Sequence, residues 1–350
     1  MRFTFLGPGD KRWASFLART DHDVYHLPGY ARLLEAERKG AASACFGESA
    51  ESALMIPVLI DRLPVTLGLS RGLKDARSPD GYPGPLFVGA PAEIRAALHD
   101  LMAFLRSERI TTCFIRVHPL LGLGTEAFGE IGSVVERGLT VQIVLDSSYE
   151  QIVQRMRYDH RSQIRRAYEA GYTVAFDRWD LLPQFVSLYR ALMDRVDATG
   201  PYRFSDGYFE RYRAAIGDSA HIAMALTPDG RPIAGALFTL CCGVLQYHLA
   251  AGDRRFAKHA VSKLVIDGLI RYGLDHRAKT VHLGGGVGAR SDSLLKFKQG
   301  FSRSELRYRT IHLIPDEAAN RQAEEAWKAR NRGDRTHPDF FPLYRSPSPR

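Results

Sequence analysis

Leu283-Gly284-Gly285-Gly286-Val287-Gly288, followed by Leu294-Leu295-Lys296-Phe297-Lys298-Gln299-Gly300-Phe301, closes the second of two similar halves in this chain. An apolar strand ends in a glycine cluster, and a Phe-Lys pair then sits inside an otherwise apolar stretch. Glycine carries no Cβ and accepts positive φ, so Gly285 and Gly286 would let backbone approach a ligand closely. Lys298, flanked by Leu294, Leu295, Phe297 and Phe301, is expected to be partly desolvated. A cation in such surroundings exerts a stronger field than one in water. The same residues also fit a glycine turn followed by an amphipathic helix with snorkelling lysines.

Upstream, the helix Ala260–Tyr272 aligns Val261, Leu264, Val265, Leu269 and Tyr272 and feeds the strand Thr280–Leu283. It follows strands at Ala220–Leu226, Ile233–Leu240 and Val244–Ala251, the first two joined by the turn Thr227-Pro228-Asp229-Gly230-Arg231. Before these come a helix over Tyr149–Ala170 ending at Gly171, a second carrying Phe185, Leu188, Tyr189, Leu192 and Val196, and a short one capped by Ser205/Asp206. The first half repeats this plan. Helices lie around Trp13–Arg19 and Tyr30–Arg38, and strands near Ala41–Phe46, Ser52–Asp61 and Val65–Leu69. A loop, Arg77–Pro85, leads to a helix with Ile94, Ala97, Leu98, Leu101 and Leu105 on one face, then the strand Thr111–Val117. A closing strand, Leu306–Ile314, a polar helix over 316–332 and a disordered tail after Arg335 complete the reading.

Helix, helix, antiparallel strands, loop, helix, strand is the plan of the GNAT acyltransferase fold, and it occurs twice. The expected fold is therefore α/β (α+β), with two GNAT-like domains, each a mixed, mostly antiparallel sheet flanked by helices. They would occupy residues 1–146 (acceptor side) and 147–315 (acyl-donor side), with a C-terminal helix and flexible tail at 316–350.

Composition narrows the class. With 350 residues, 45% hydrophobic and 25% charged, the chain is that of a globular protein of two ordinary domains. No apolar run approaches the roughly 20 residues of a membrane span. The N-terminal MRFTFLGPGDKRW has no h-region or cleavage site, so a cytoplasmic protein is expected. Cys45, Cys113, Cys241 and Cys242 show no zinc spacing and read as reduced structural residues. A net charge of +9 favours a polyanionic partner. Gly284-x-Gly286-x-x-Ala289 imitates a dinucleotide fingerprint, but no βαβ unit follows it.

Four pieces of sequence carry a resemblance. They are Ser78-Pro79-Asp80-Gly81-Tyr82-Pro83-Gly84-Pro85; Arg161/Arg165-Ala167-Gly171; Leu188-Tyr189…Met193-Asp194-Arg195 with Tyr208-Phe209; and Gly284-Gly285-Gly286 through Phe297-Lys298-Gln299-Gly300-Phe301. In this order they resemble the Fem family of aminoacyl-tRNA-dependent transferases built from tandem GNAT-like domains. The likeness covers roughly residues 20–315. It implies transfer of an amino acid from the 3′ end of a charged tRNA to an amine of a peptide-like acceptor, a cell-wall precursor or a small peptide metabolite. It implies aminoacyl-tRNA as co-substrate, with no cofactor and no metal. The long heptad-repeat arm of larger members is missing, which suits a monomer. Arg32 is a poor match for the N-terminal lysine of the short members.

An aminoacyl ester is already activated, so the protein must supply positioning, oxyanion stabilisation and a proton route. Lys298 is the candidate for the oxyanion or a phosphate, against a solvated helix lysine. Phe297 would stack a terminal base, against plain core packing. Arg157, Arg161 and Arg165, four apart, would form a phosphate-binding stripe, against a merely solvated face. Arg195 matches the family's acceptor-phosphate arginine, against an ion pair with Asp194 or Asp197. Tyr247 and His248 lie on the strand that lines the acyl site in this fold, and alternation turns only one inward as a proton relay. Asp80 and Tyr82 would form the acceptor wall, Asp80 holding the ammonium or taking its proton, against an ordinary turn aspartate.

Two other functions compete. Acyl-CoA transfer usually needs a Q/R-x-x-G-x-G/A turn, and here Arg254-Arg255-Phe256-Ala257-Lys258-His259-Ala260 has no glycine. Non-catalytic RNA binding is favoured only by the charge.

Overall fold

In chain order, β1 (Arg2–Leu6), α1 (Lys11–Leu17), α2 (Pro28–Ala36), β2 (Ala41–Glu48), β3 (Ala53–Arg62), β4 (Lys74–Arg77), β5 (Leu86–Val88), α3 (Ile94–Ser107) and β6 (Ile110–Arg116) precede β7 (Ser133–Val144). Then follow α4 (Tyr149–Arg155), α5 (Tyr158–Glu169), β8 (Thr173–Phe176), α6 (Leu182–Arg195), α7 (Tyr208–Ile216), β9 (Ala220–Leu226), β10 (Pro232–Cys241) and β11 (Val244–Gly252). The last elements are α8 (Val261–Asp275), β12 (Thr280–Gly285), α9 (Ser293–Gln299), β13 (Ser304–Leu313) and α10 (Glu317–Arg330). This computed structural model describes residues 1–37, 39–69, 72–198, 202–331 and 340–346. The chain divides into two units, Met1–Glu136 with Arg309–Arg350, and Arg137–Tyr308.

In the first unit β1, β2, β3 and β4 pair antiparallel in sequence, β4 pairs β6 in parallel, and Thr310–Leu313 of β13 pair antiparallel with β6. The α3 residues Ala97, Leu98, Leu101 and Leu105 are three or four apart and make one buried face. Leu98, Leu101 and Leu105 join Leu54, Ile56, Ile110 and Ile115 in the core.

The second unit orders its strands β7-β12-β11-β10-β9-β8. The β11–β12 pair is parallel, and α8 makes the crossover between them. Leu264, Val265, Leu269 and Ile270 of α8 pack on Leu245, Val281 and Leu283. Asp267, on the same helix, is fully buried. The Tyr149 and Tyr168 hydroxyls donate to it at 2.7 and 2.9 Å and Arg271 Nε at 3.1 Å, which makes a buried carboxylate tolerable. Both units are thus mixed, mostly antiparallel sheets with helices, as the α/β reading expects.

Several local expectations fail for identifiable reasons. The helix expected over Tyr149–Ala170 is two helices. The Met156 N–H bonds back to Val153 O, Met156 turns extended (ψ 156°), and the Arg157 N–H is taken by Gly300 O at 2.8 Å. Val65–Leu67 is a 3₁₀ turn rather than a strand. α7 begins at Gly207 (φ 72°), with no Ser205 or Asp206 side-chain cap. The expected disordered tail falls partly on 336–339 and 347–350, outside the described residues, but 340–346 are packed within the first unit. Tyr344 is buried with Leu63, Leu67 and Trp327, and Arg345 pairs with Asp75 at 2.8 Å.

Candidate functional site

β11 and β12 are in parallel register over Val244–Gln246 and Thr280–His282, and the pairing stops there. On β11 the next irregularity is a bulge. Leu237 faces Leu249 while Phe238 faces Tyr247, so His248 is the extra residue. On β12 the register with β7 shifts between His282 and Gly284, and Gly284 has φ 72°. Parallel strands that part at their carboxyl ends leave the crevice in which α/β sheets bind ligands.

The glycines are explained first by the chain itself. A Cβ on Gly285 would meet Leu139 O at 2.6 Å, and one on Gly286 would run into Arg290 O and the Asp292 carboxylate. Asp292 closes this loop and starts α9, accepting from Val287 N at 2.8 Å and Leu295 N at 2.9 Å. Lys298 on α9 is 7% exposed. Its Nζ donates to Gly285 O at 2.6 Å. Burial lowers its pKa to about 8, with Asp292 pulling the other way. The desolvation expected for Lys298 is therefore present.

Phe297 is half-buried, meeting the rings of Phe301 at 5.5 Å and His160 at 5.6 Å. His160 is fully buried, and burial, then Lys263, lowers its pKa to about 4. Its ring fills the space where a Gly300 side chain would point. Together with the Arg157–Gly300 bond, this fastens the start of α5 to the end of α9.

The helix break falls just before the arginine stripe, which leaves Arg161 and Arg165 on α5 and Arg157 at its start. Arg157 is the α5 N-cap and pairs with Asp159, while Arg165 lies 3.6 Å from Glu169. Arg161 donates to Gln154 O at 3.0 Å and lies 5.9 Å from the Tyr158 ring. Tyr158 is 73% exposed, and sequence reading passed it over. An aromatic directly after Arg157 and three before Arg161 was the available signal.

Tyr247 and His248 are divided by the bulge. Tyr247 packs against the α8-side core that also takes Phe297, and burial raises its hydroxyl pKa. His248 stacks on Tyr212 of α7, centroids 5.1 Å apart. Arg195 is exposed at the end of α6, and Asp194 pairs with Arg203 at 2.7 Å instead. Two cavities open elsewhere on this unit. One of about 330 Å³ lies by Tyr168 and Arg271, the other of about 560 Å³ by Asp177, Trp179 and His221, and neither is lined by Lys298.

Asp80 and Tyr82 belong to the first unit, in the loop after β4. Ser78 N donates to Phe114 O at 2.7 Å, His26 Nε2 meets Gly84 O at 3.1 Å, and a Cβ on Gly81 would enter the Tyr25 ring. Tyr82 lies edge-on to Tyr25 and His118 at 5.9 and 6.0 Å. His118 in turn pairs with fully buried Asp23 at 3.0 Å. Asp80 is held by Lys39 at 2.8 Å and Arg116 at 3.6 Å. Burial opposes its charge, but Arg116 and Lys39 outweigh it and keep the carboxyl below its ordinary pKa. Such a carboxylate is a weak proton acceptor.

These features define a class of fold, two GNAT-like units each built around a parallel strand pair and its crossover helix. Residues 154–299 match the family model described as Acetyltransferase (GNAT) domain, which supports an acyltransferase. The chain shares its fold with FemX, at 14% identity and TM-score 0.65 over 88% of this chain and 97% of FemX. It is also similar to the C-terminal DUF2156 domain of a protein from Agrobacterium fabrum named as a lysylphosphatidylglycerol synthetase (14% identity, TM-score 0.56, 86% of this chain, 90% of that one). L-PGS from Bacillus licheniformis compares similarly (12% identity, TM-score 0.56, 90% and 95%). No curated protein matches the chain. No helix among the described residues is long and apolar enough to cross a membrane.

Proposed function

We propose that this chain is an aminoacyltransferase that moves an amino acid from aminoacyl-tRNA to an amine of a peptide-like acceptor. The acceptor nitrogen attacks the ester carbonyl, a C–N bond forms, the C–O bond to the ribose breaks, and the ammonium proton leaves toward the released hydroxyl. Lys298 is the observation that carries the reading. It is a buried cation held on Gly285 O where β11 and β12 part. There it opposes the oxyanion of the tetrahedral intermediate, a contribution of about 3–4 kcal/mol for one such donor. With its pKa near 8, Lys298 also exchanges protons readily at neutral pH. Tyr247 and His248 are the remaining proton-relay candidates, and Tyr158 with Arg157, Arg161 and Arg165 is the candidate contact for the RNA. The protein acts as a cytoplasmic monomer in this reading, with no cofactor besides the charged tRNA.

Acyl-CoA-dependent N-acyl transfer is the second reading, favoured by the acetyltransferase match over 154–299. Against it, the turn before α8 (Arg254–His259, then Ala260 at φ 55°) has a side chain at every position where a pyrophosphate loop uses glycine. The deciding experiment supplies a mixed pool of radiolabelled aminoacyl-tRNAs with cell-wall precursor peptides, small peptides and phosphatidylglycerol vesicles. Ribonuclease-sensitive label transfer supports the tRNA reading, and acetyl-CoA dependence supports the second. Salt-dependent RNA binding without transfer would make the chain an RNA-binding protein instead.

A further inference from the structure

His282 is fully buried in the second unit and takes no part in the chemistry outlined above. It occupies the last position of β12 that pairs with β11, opposite Gln246, while β12 runs on beside β7 to Gly285. Its Nδ1 lies 2.7 Å from Gln246 Oε1 and its Nε2 lies 2.9 Å from Thr140 Oγ1 of β7. The Gln246 amide is oriented by its own Nε2, which donates to Tyr247 O at 3.4 Å. Gln246 Oε1 can only accept, so the imidazole donates from Nδ1 and accepts the Thr140 hydroxyl at Nε2. One ring thereby ties three strands at the point where two of them separate.

Both arms of the crevice start from this point. Two residues beyond Gln246 stands the bulged His248. Three residues beyond His282 stands Gly285, whose carbonyl holds Lys298. We propose that His282 is a positioning residue that fixes the vertex of the β11–β12 crevice and, through Leu283–Gly285, the seat of Lys298. Its consequence for turnover rests on the acyl-transfer reading, whereas its structural content does not. Without the two side-chain bonds, β12 beyond His282 is held only by its pairing with β7, Gly285 O shifts, and the Lys298 amine gains water.

The substrate-free test is the titration of Lys298 followed through its Cε signal in ¹³C-lysine-labelled full-length protein, the signal assigned by its loss in Lys298→Met. Asp292 is the charged neighbour that acts on this titration, and it remains in every variant. The wild-type midpoint is expected near 8. In His282→Phe, which keeps a ring and loses both bonds, it should rise by a unit or more toward the ordinary lysine value of about 10.4. Thr140→Val and Gln246→Leu each remove one bond, and each should produce a smaller rise. They decide the matter if His282→Phe does not fold. Turnover should fall on the order of 10²-fold in His282→Phe with KM for the charged tRNA unchanged, as expected for a misplaced reacting group. An unchanged midpoint in the folded variants overturns the inference. Failure of label transfer in the wild type would instead remove the proposed function and leave the titration result standing.

Discussion

The two units build the same device and furnish it differently. Each has one parallel strand pair among its described residues, β4–β6 in the first and β11–β12 in the second. At the carboxyl ends of the first pair stand Arg77, Asp80 and Arg116, joined by Lys39, so that a carboxylate is neutralised by cations on the spot. At the ends of the second stands Lys298, whose hydrogen-bond partner is a neutral carbonyl and whose charge burial penalises. The first arrangement is satisfied within itself. The second holds an underused positive charge, the condition for acting on a charge that develops during a reaction.

The contrast is most severely tested by Lys298→Met. Turnover should fall on the order of 10²–10³-fold, while the thermal midpoint stays within a few degrees because methionine fills the apolar site. Near-normal turnover would show that the second unit's cation is as inert as those of the first. Gly300→Ala addresses the packing beneath Lys298. A methyl group there must displace the buried His160 ring, and overpacking of this kind costs about 1–3 kcal/mol, measurable by urea unfolding. An unchanged midpoint would mean that the α5–α9 junction yields easily.

The pH response should separate the units by range, since stability rises with pH for both groups but at opposite ends of the scale. The Lys298 pKa is lower folded than unfolded, so between about 8 and 10.4 the unfolded chain binds more protons and stability rises with pH. The gain should approach 1 kcal/mol per pH unit and vanish in Lys298→Met. Asp80 works at the other end. Its folded pKa is depressed, so its contribution is complete above the ordinary carboxylate value of about 3.9 and is lost as pH falls through the folded value. Because Asp80 is partly exposed, Asp80→Asn should cost only about 1 kcal/mol at neutral pH. A larger loss would show that the loop depends on this ion pair.

Much of the architecture was legible because its signals are local. The periodicity of α3 and α8, the Thr227–Arg231 turn and the strand–glycine junction at Leu283–Gly284 need no distant partner to be read. β7 escaped detection, since Ser133–Val144 mixes Glu136, Arg137 and Gly138 into its alternation. The break at Met156–Arg157 depends on Gly300, far away in sequence, and periodicity alone cannot register such a partner. Within the candidate site, the burial of Lys298 and Phe297 was readable from an apolar run with a cation in it. The separation of Tyr247 from His248 was not, because a bulge shifts the alternation on which that reading relied. The cations around Asp80 were hidden for the same reason as the helix break, since Lys39 and Arg116 come from different elements.

The bond from Arg157 N–H to Gly300 O has a thermodynamic corollary. Helix α9, which bears the lysine, and the arginine-bearing α5 share one splint, so strain on either is felt by the other. An anion that grips Arg161 more firmly when α5 is correctly seated must, by reciprocity, favour the matching seat of α9. The same backbone contact would then let the arrival of a large polyanion ready the amine for its task.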